Sequence, residues 1–215
     1  MKIELTREQQ KNPEIYIDPR QFTDAPVIGV DEVGRGCLAG PVYAGACLLK
    51  SEDLWEQLID SKLLSEKRRD ELAPQIIKSH AVELAFASEE EIDELNILQA
   101  SHLAMERAIL QLAKREKLKQ AYVLIDGNQK IRSLPKSFKQ FTLIKGDLRC
   151  PAISAAAIAA KVARDQLMRM LAKTYEVYGF EQHKGYGTKK HKEAITKWGP
   201  TPIHRKSFAG VKEFL

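Results

Sequence analysis

The sequence predicts an α/β protein: a mixed five-stranded sheet flanked by helices, followed by a basic helical extension at the C-terminal end. Five short apolar runs of strand length stand between glycines, acids and turn residues. Two long segments, 96–112 and 152–173, carry apolar residues at helical spacing. The leading strands read as an antiparallel hairpin start, whereas the later ones alternate with helices as in α/β folds.

Taken in order, residues 1–26 are polar and turn-rich and read as a weakly structured lead-in. Val27-Ile28-Gly29-Val30 is a buried strand ending in Asp31-Glu32, and Val42 to Leu49 follows a glycine turn as the second strand. Residues 52–79 are helical and acidic, with Ser65 as a cap, and His80 to Ala87 alternates as a third strand. Ser88-Glu89-Glu90-Glu91 is a capping box opening a short helix, and Asn96 caps a long amphipathic one. Tyr122-Val123-Leu124-Ile125 and Phe141-Thr142-Leu143-Ile144 are the last strands, ending in Asp126-Gly127 and Lys145-Gly146-Asp147. An alanine-rich helix spans 152–173, then a Gly-Tyr-Gly turn at 185–187 precedes a helix from about 188. The chain thus divides into a lead-in (1–26), a core (27–173) and a basic extension packed on it (174–215).

Composition narrows the class. Of 215 residues, 44% are hydrophobic and 29% charged, which excludes wholesale disorder. No apolar run approaches the ~20 residues that span a bilayer, and the polar start has no secretory core. Three widely spaced cysteines without a Cys-x-x-Cys pair read as reduced thiols, so a cytoplasmic protein without zinc is expected. The net charge of +5 is unevenly spread. Residues 161–215 hold 12 Lys/Arg against 5 Asp/Glu, whereas residues 51–95 hold 13 acids against 5 bases. A basic end on an acidic body fits a polyanion partner as well as it fits a solvated surface.

Three strands end in acid: Asp31-Glu32, Asp126 and Asp147. Clustered carboxylates repel, and must be protonated or hold a cation. With oxygen-only ligands the cation is a hard one, Mg²⁺ or Mn²⁺. Four carboxylates suffice for two ions about 3.5–4 Å apart, the arrangement for in-line phosphoryl displacement. Asp126-Gly127 equally suits a simple turn, but two consecutive acids after a buried run need partners. In a regular pleat Asp31 and Glu32 face opposite ways, so sharing one site requires the strand to break near Gly34 and Gly36. Gly34-Arg35-Gly36-Cys37-Leu38-Ala39 also matches a loose dinucleotide pattern, yet Gly40-Pro41 and a strand follow where that pattern needs a helix.

The run Asp31-Glu32-Val33-Gly34-Arg35-Gly36-Cys37-Leu38-Ala39-Gly40-Pro41-Val42 resembles the signature of bacterial ribonuclease HII. Further matches follow in order: Asp60-Ser61-Lys62, Asn96 through Arg107, Ile125-Asp126-Gly127-Asn128, Lys145-Gly146-Asp147, Ala160 through Asp165, His183 through Thr188, and His204-Arg205-Lys206-Ser207-Phe208. Cys37 departs from a frequent proline and Ala157 from a usual serine. The resemblance implies a ribonuclease H-like fold with a helical C-terminal extension. It implies an endonuclease that cuts the RNA strand of RNA–DNA hybrids and duplex DNA at a single ribonucleotide, leaving 5′-phosphate and 3′-hydroxyl ends. By motif, Asp31, Glu32, Asp126 and Asp147 would be the catalytic acids holding two Mn²⁺ or Mg²⁺ ions. Gly34, Arg35 and Gly36 would read the ribose 2′-OH through the backbone, Tyr186 the junction with deoxyribose, and Lys62 and Lys184 would grip the phosphate backbone. A cytoplasmic monomer is expected.

Asp165, four residues from Lys161 and from Arg169, reads as a helix-surface ion-pair partner, and His183, His191 and His204 as tail-surface or structural residues. A hybrid-binding protein without cleavage, or a nuclease acting on DNA, remain the alternatives.

Overall fold

Five strands form one sheet: β1 (Val27–Val33), β2 (Val42–Leu48), β3 (Ala81–Ala87), β4 (Ala121–Asp126) and β5 (Phe138–Leu143). Among the described residues eight α-helices accompany them: α1 (Arg7–Lys11), α2 (Trp55–Leu58), α3 (Glu66–Ser79), α4 (Glu89–Leu95), α5 (Ile97–Arg115), α6 (Pro151–Thr174), α7 (Phe180–His183) and α8 (Lys189–Trp198). The structure, a computed structural model, describes residues 4–22, 25–58 and 64–215. The strand order is β3-β2-β1-β4-β5, with β1, β2 and β3 antiparallel and β4 and β5 parallel to β1. The antiparallel start and the α/β second half are therefore both present.

α5 covers one face of the sheet. Its Ala100, Ala104, Ala108 and Leu112 meet Ile28, Val30, Ala44, Val123 and Ile125. α6 covers the other, where its small residues let the helix main chain approach the strands. A β-carbon at Gly29 would strike the main chain of Ala152, and one at Gly45 the carbonyl of Ala156. These two glycines set how deeply α6 sits, and with it everything α6 carries to the sheet's end.

The expected helix caps are in place: Ser65, Ser88 and Asn96 each accept main-chain N–H bonds at their helix starts. Two expectations need correction. The last strand begins at Phe138 and ends at Leu143, because the Ile144 N–H is taken by the Gln10 carbonyl at 3.0 Å instead of continuing the ladder. That contact belongs to the second correction, for the lead-in is folded onto the core. Thr6 opens α1 with a reciprocal capping box, and Leu5, Ile17 and Phe22 are buried beside Tyr122 and Phe141. The buried Arg149 holds the segment: it donates to the carbonyls of Gln9 (2.7 Å), Gln10 (2.9 Å), Ile15 (2.7 Å) and Ile144 (3.0 Å).

Arg149→Met would leave these carbonyls without their donor, at about 1–3 kcal/mol for each that water does not reach. The expected result is a loss of at least ~2 kcal/mol in denaturant unfolding, with the Ile17 and Ile144 amides losing hydrogen-exchange protection before the amides of β1.

Candidate active site

The sheet topology sets the acids side by side. Val30 on β1 pairs with Ile125 on β4, so Asp31 and Asp126 follow at the same level on adjacent parallel strands. Both alternate onto the α6 face, with Gly29 and Leu124. Asp147 comes from a single 3-10 turn, Gly146–Leu148, directly after β5. The Gly146 N–H donates to Asp126 Oδ1 at 2.6 Å and ties that turn to β4.

Glu32 alternates to the opposite face, towards α5, as the pleat requires. There its carboxylate pairs with Arg35 at 3.1 Å and raises the affinity of His102 for a proton, against the stronger opposing effect of burial. It still shares the site, because the sheet ends here. Asp31, Glu32 and Asp147 line one cleft with Val33, Arg69 and Lys161, and Glu32 and Asp126 line a second with Ser101 and His102. The four carboxylates thus reach the sheet edge from both faces.

Their mutual repulsion shows on Asp31. Burial first, then the charges of Asp126, Glu32 and Asp147 in that order, push its carboxyl well above the usual carboxylate range. A set of oxygen ligands that repel one another, two of them buried (Asp31 and Asp147) and two half-buried (Glu32 and Asp126), fits a hard divalent cation, which would restore the ionised form. Among the described residues, no three such groups close around one point in the way that defines an ion position.

Beside the acids, the turn after β1 is held from within by two fully buried arginines. Arg164 on α6 donates to the carbonyls of Ala39 (3.0 Å), Pro41 (3.0 Å) and Lys184 (2.8 Å). Arg205 donates to those of Gly34 (2.7 Å), Arg35 (2.8 Å) and Gly40 (2.9 Å). Gly34 has φ +93°, and the Arg164 side chain lies where its β-carbon would be, so no larger residue fits. The peptide unit is planar, so carbonyls turned towards Arg205 point the N–H groups of Arg35 and Gly36 away from it.

Tyr186 is bridged to Cys37 in that turn and is 40% exposed. The Lys161 ammonium lies 5.7 Å from the ring centroid, bonds Asp165 Oδ1 at 2.8 Å and lines the Asp31 cleft. Asp165 is buried, not on the helix surface as expected. Lys184 is buried as well: it bonds the Glu181 carbonyl at 2.7 Å and pairs with Glu66 at 3.2 Å. Its ammonium faces α3 in place of the solvent that a phosphate grip needs. Lys62 lies outside the described residues. Arg69, His102 and Lys161 join the clefts without having been singled out. Of these only Lys161 left a trace, the four-residue spacing to Asp165.

The ribonuclease HII family model matches residues 28–211. A ribonuclease HII of Endomicrobium trichonymphae is 50% identical over 192 residues, covering 88% of each chain. The chain belongs to the ribonuclease HII family. The resemblance read from the motifs is thereby borne out, and with it an endoribonuclease that uses divalent metal and cleaves the RNA strand of RNA–DNA hybrids. A solved complex of PCNA with ribonuclease HII from Archaeoglobus fulgidus contains a chain that is 27% identical with a TM-score of 0.70, covering 86% of this chain and 95% of that one. Bst ribonuclease HIII in complex with Mn²⁺ shares the fold at a TM-score of 0.69 and 17% identity, covering 91% of this chain and 70% of that one. Both neighbours agree with the ribonuclease H-like mixed sheet and its flanking helices.

A raised carboxyl pKa means the folded metal-free protein binds more protons than the unfolded chain. Its stability therefore falls as pH rises from about 4 towards the folded pKa of Asp31. Asp31→Asn should stabilise the chelator-treated protein at pH 7 by at least ~1 kcal/mol, one pKa unit being about 1.4 kcal/mol, and flatten that pH dependence in thermal unfolding.

Proposed function

We propose that the chain hydrolyses RNA within RNA–DNA hybrids and also incises duplex DNA at a single embedded ribonucleotide, with two divalent cations, Mg²⁺ or Mn²⁺, leaving 5′-phosphate and 3′-hydroxyl ends. The observation that carries this reading is the set of four mutually repelling carboxylates beside a turn that presents main-chain N–H groups. Asp31, Asp126, Asp147 and Glu32 would hold the ions. Bound there, the ions supply charge that activates the attacking water and stabilises the leaving oxygen.

The chain's own residues do the reading. The N–H groups of Arg35 and Gly36 face outward, where the oxygen of a ribose 2′-OH is an acceptor that deoxyribose lacks. Gly36 has open space where a side chain would stand, which admits a sugar. The Tyr186 ring, next to Cys37 and Lys161, stacks against the following sugar and favours the apolar face of a deoxyribose. Duplex phosphates rest on α8, where Lys189, Lys192 and Lys197 share one open surface with Gly187 and Thr196. A cytoplasmic setting accords with buried, unpaired cysteines.

A gel comparing all-DNA duplex, RNA–DNA hybrid and DNA with one ribonucleotide, each with Mg²⁺, Mn²⁺ or chelator, tests the reading. Cleavage of the last two only, lost with chelator, is expected; equal cleavage of all-DNA duplex contradicts it. Asp126→Asn should lower the single-turnover rate by about 10³-fold, several kcal/mol at about 1.4 per tenfold, while duplex binding persists. Changing Lys189, Lys192 and Lys197 together to Gln should flatten the plot of log affinity against log salt by up to ~0.9 per lysine.

A further inference from the structure

The Gly185-Tyr186-Gly187 turn rests on three histidines whose tautomers the main chain dictates. The Thr201 N–H donates to His204 Nδ1 at 2.9 Å, so the His204 hydrogen is on Nε2. His204 Nε2 stands 3.1 Å from His191 Nε2, which must then accept. That leaves the His191 hydrogen on Nδ1, 3.0 Å from the Tyr186 carbonyl, to which it donates. His183 is fixed in the same way: the Gly185 N–H donates to its Nδ1 at 3.2 Å, and its Nε2 donates to the Tyr178 carbonyl at 2.7 Å. The His183 and His191 rings stack 4.5 Å apart, and Phe180 sets its edge against both.

We propose that His191 and His204 are positioning residues for Tyr186: a one-way hydrogen-bond chain, Thr201 to His204 to His191 to the Tyr186 carbonyl, fixes the height of the turn and hence the placement of the ring beside Cys37. This deepens the reading of Tyr186 given above and rests on it for its consequence in substrate choice. Each link has one direction. A proton added to His191 Nε2 or His204 Nδ1 would set a donor against a donor, so the chain works only with neutral rings. Burial supplies that neutrality, pushing His191 and His204 both down to about 4, and pushing His183 down as well. The charged groups that face the trio are Glu181 from α7 and Lys190 from α8, both acting on His183. The Tyr186 carbonyl also accepts the Thr188 N–H at 2.8 Å, and the Leu38 N–H donates to the Gly185 carbonyl at 2.8 Å. Movement of the carbonyl would therefore pass directly into the contact with the glycine turn.

The test separates this chain from the role of Tyr186. His191→Phe keeps a ring for the stack and deletes the donor, whereas His191→Asn places an amide N–H near the Nδ1 position. His204→Leu removes the hydrogen given to His191, and His204→Gln returns one at the Nε2 position. For each full-length variant, hydrogen exchange at the Tyr186 and Thr188 amides reports the turn. The ratio of single-turnover rates on a single embedded ribonucleotide and on a long hybrid reports substrate choice. His191→Phe and His204→Leu should speed exchange at those amides and lower the rate ratio about fivefold, the equivalent of one hydrogen bond. His191→Asn and His204→Gln should recover most of both. Unchanged exchange in folded His191→Phe and His204→Leu overturns the proposal, as does failure of both conservative variants to recover. Tyr186→Ala is the control: if it leaves the ratio unchanged, the reading of Tyr186 falls, and the exchange data alone decide whether the histidines position the turn.

Discussion

Arg164 and Arg205 spend every hydrogen bond they make among the described residues on main-chain carbonyls, six in all, and all but one of these lie between Gly34 and Pro41. Desolvation is the dominant effect on Arg205, holding its guanidinium down to about 10, so it remains charged at neutral pH. A buried cation that, among the described residues, has no carboxylate within ion-pair distance is tolerable only when carbonyl dipoles surround it, and a glycine-rich turn is a chain that can point five carbonyls inward. The consequence reaches outward through peptide planarity. Carbonyls directed at Arg205 leave N–H groups directed away from it, on the side where the proposed function seats the ribose. The same two arginines bind three distant parts of the chain, since Arg164 comes from the middle of α6, Arg205 from the C-terminal loop, and the Lys184 carbonyl from the turn before Tyr186.

The acids depend on the sheet in a comparable way. Parallel pairing of β1 with β4 places Asp31 beside Asp126, and the short turn after β5 brings Asp147 to the same end. α6 closes this end only because Gly29 and Gly45 admit its main chain. The helix then delivers Arg164 to the turn, and Lys161 to the boundary between the acids and Tyr186. One helix thus couples the cleft, the turn and the tail, and a shift of α6 would disturb all three together. Glu32 stays on the opposite face of the pleat and reaches the site only because the strand ends there.

Much of this was legible in the sequence because it is local. Caps at Ser65, Ser88 and Asn96, acids at strand ends, and the alanine stripe of α6 are all written within a few residues of where they act. Arg164 also left a signal: Ala156, Ala160, Arg164 and Met168 lie four apart and are all buried, so a charge interrupts an otherwise apolar stripe. What escaped was set by distant partners. Lys184 looks like a free cation in sequence, but Glu66 on α3 claims it. Residues 5–22 have apolar residues too sparse to show a period, and they join the core through Arg149, which holds the carbonyls of Gln9, Gln10 and Ile15, and through the burial of Leu5, Ile17 and Phe22. The surface expected for Asp165 failed, and of the two readings of the tail histidines the structural one holds, because the C-terminal segment packs on the glycine turn, through Leu38 and Ala39 against Phe180 and Ile195. Family motifs supplied the roles, while the contacts that make those roles possible lie between motifs.

The dependence on the two guanidiniums is tested most directly with Arg205→Lys, which keeps the charge and one donor direction but loses the planar fork. Single-turnover cleavage of duplex DNA with one ribonucleotide should fall by about 100-fold, the scale of a misplaced catalytic group about 1 Å away, in a protein that still unfolds cooperatively and still binds Mn²⁺. A rate within a factor of two or so of the unaltered protein would contradict the account, since the turn would then hold its reading geometry without the fork.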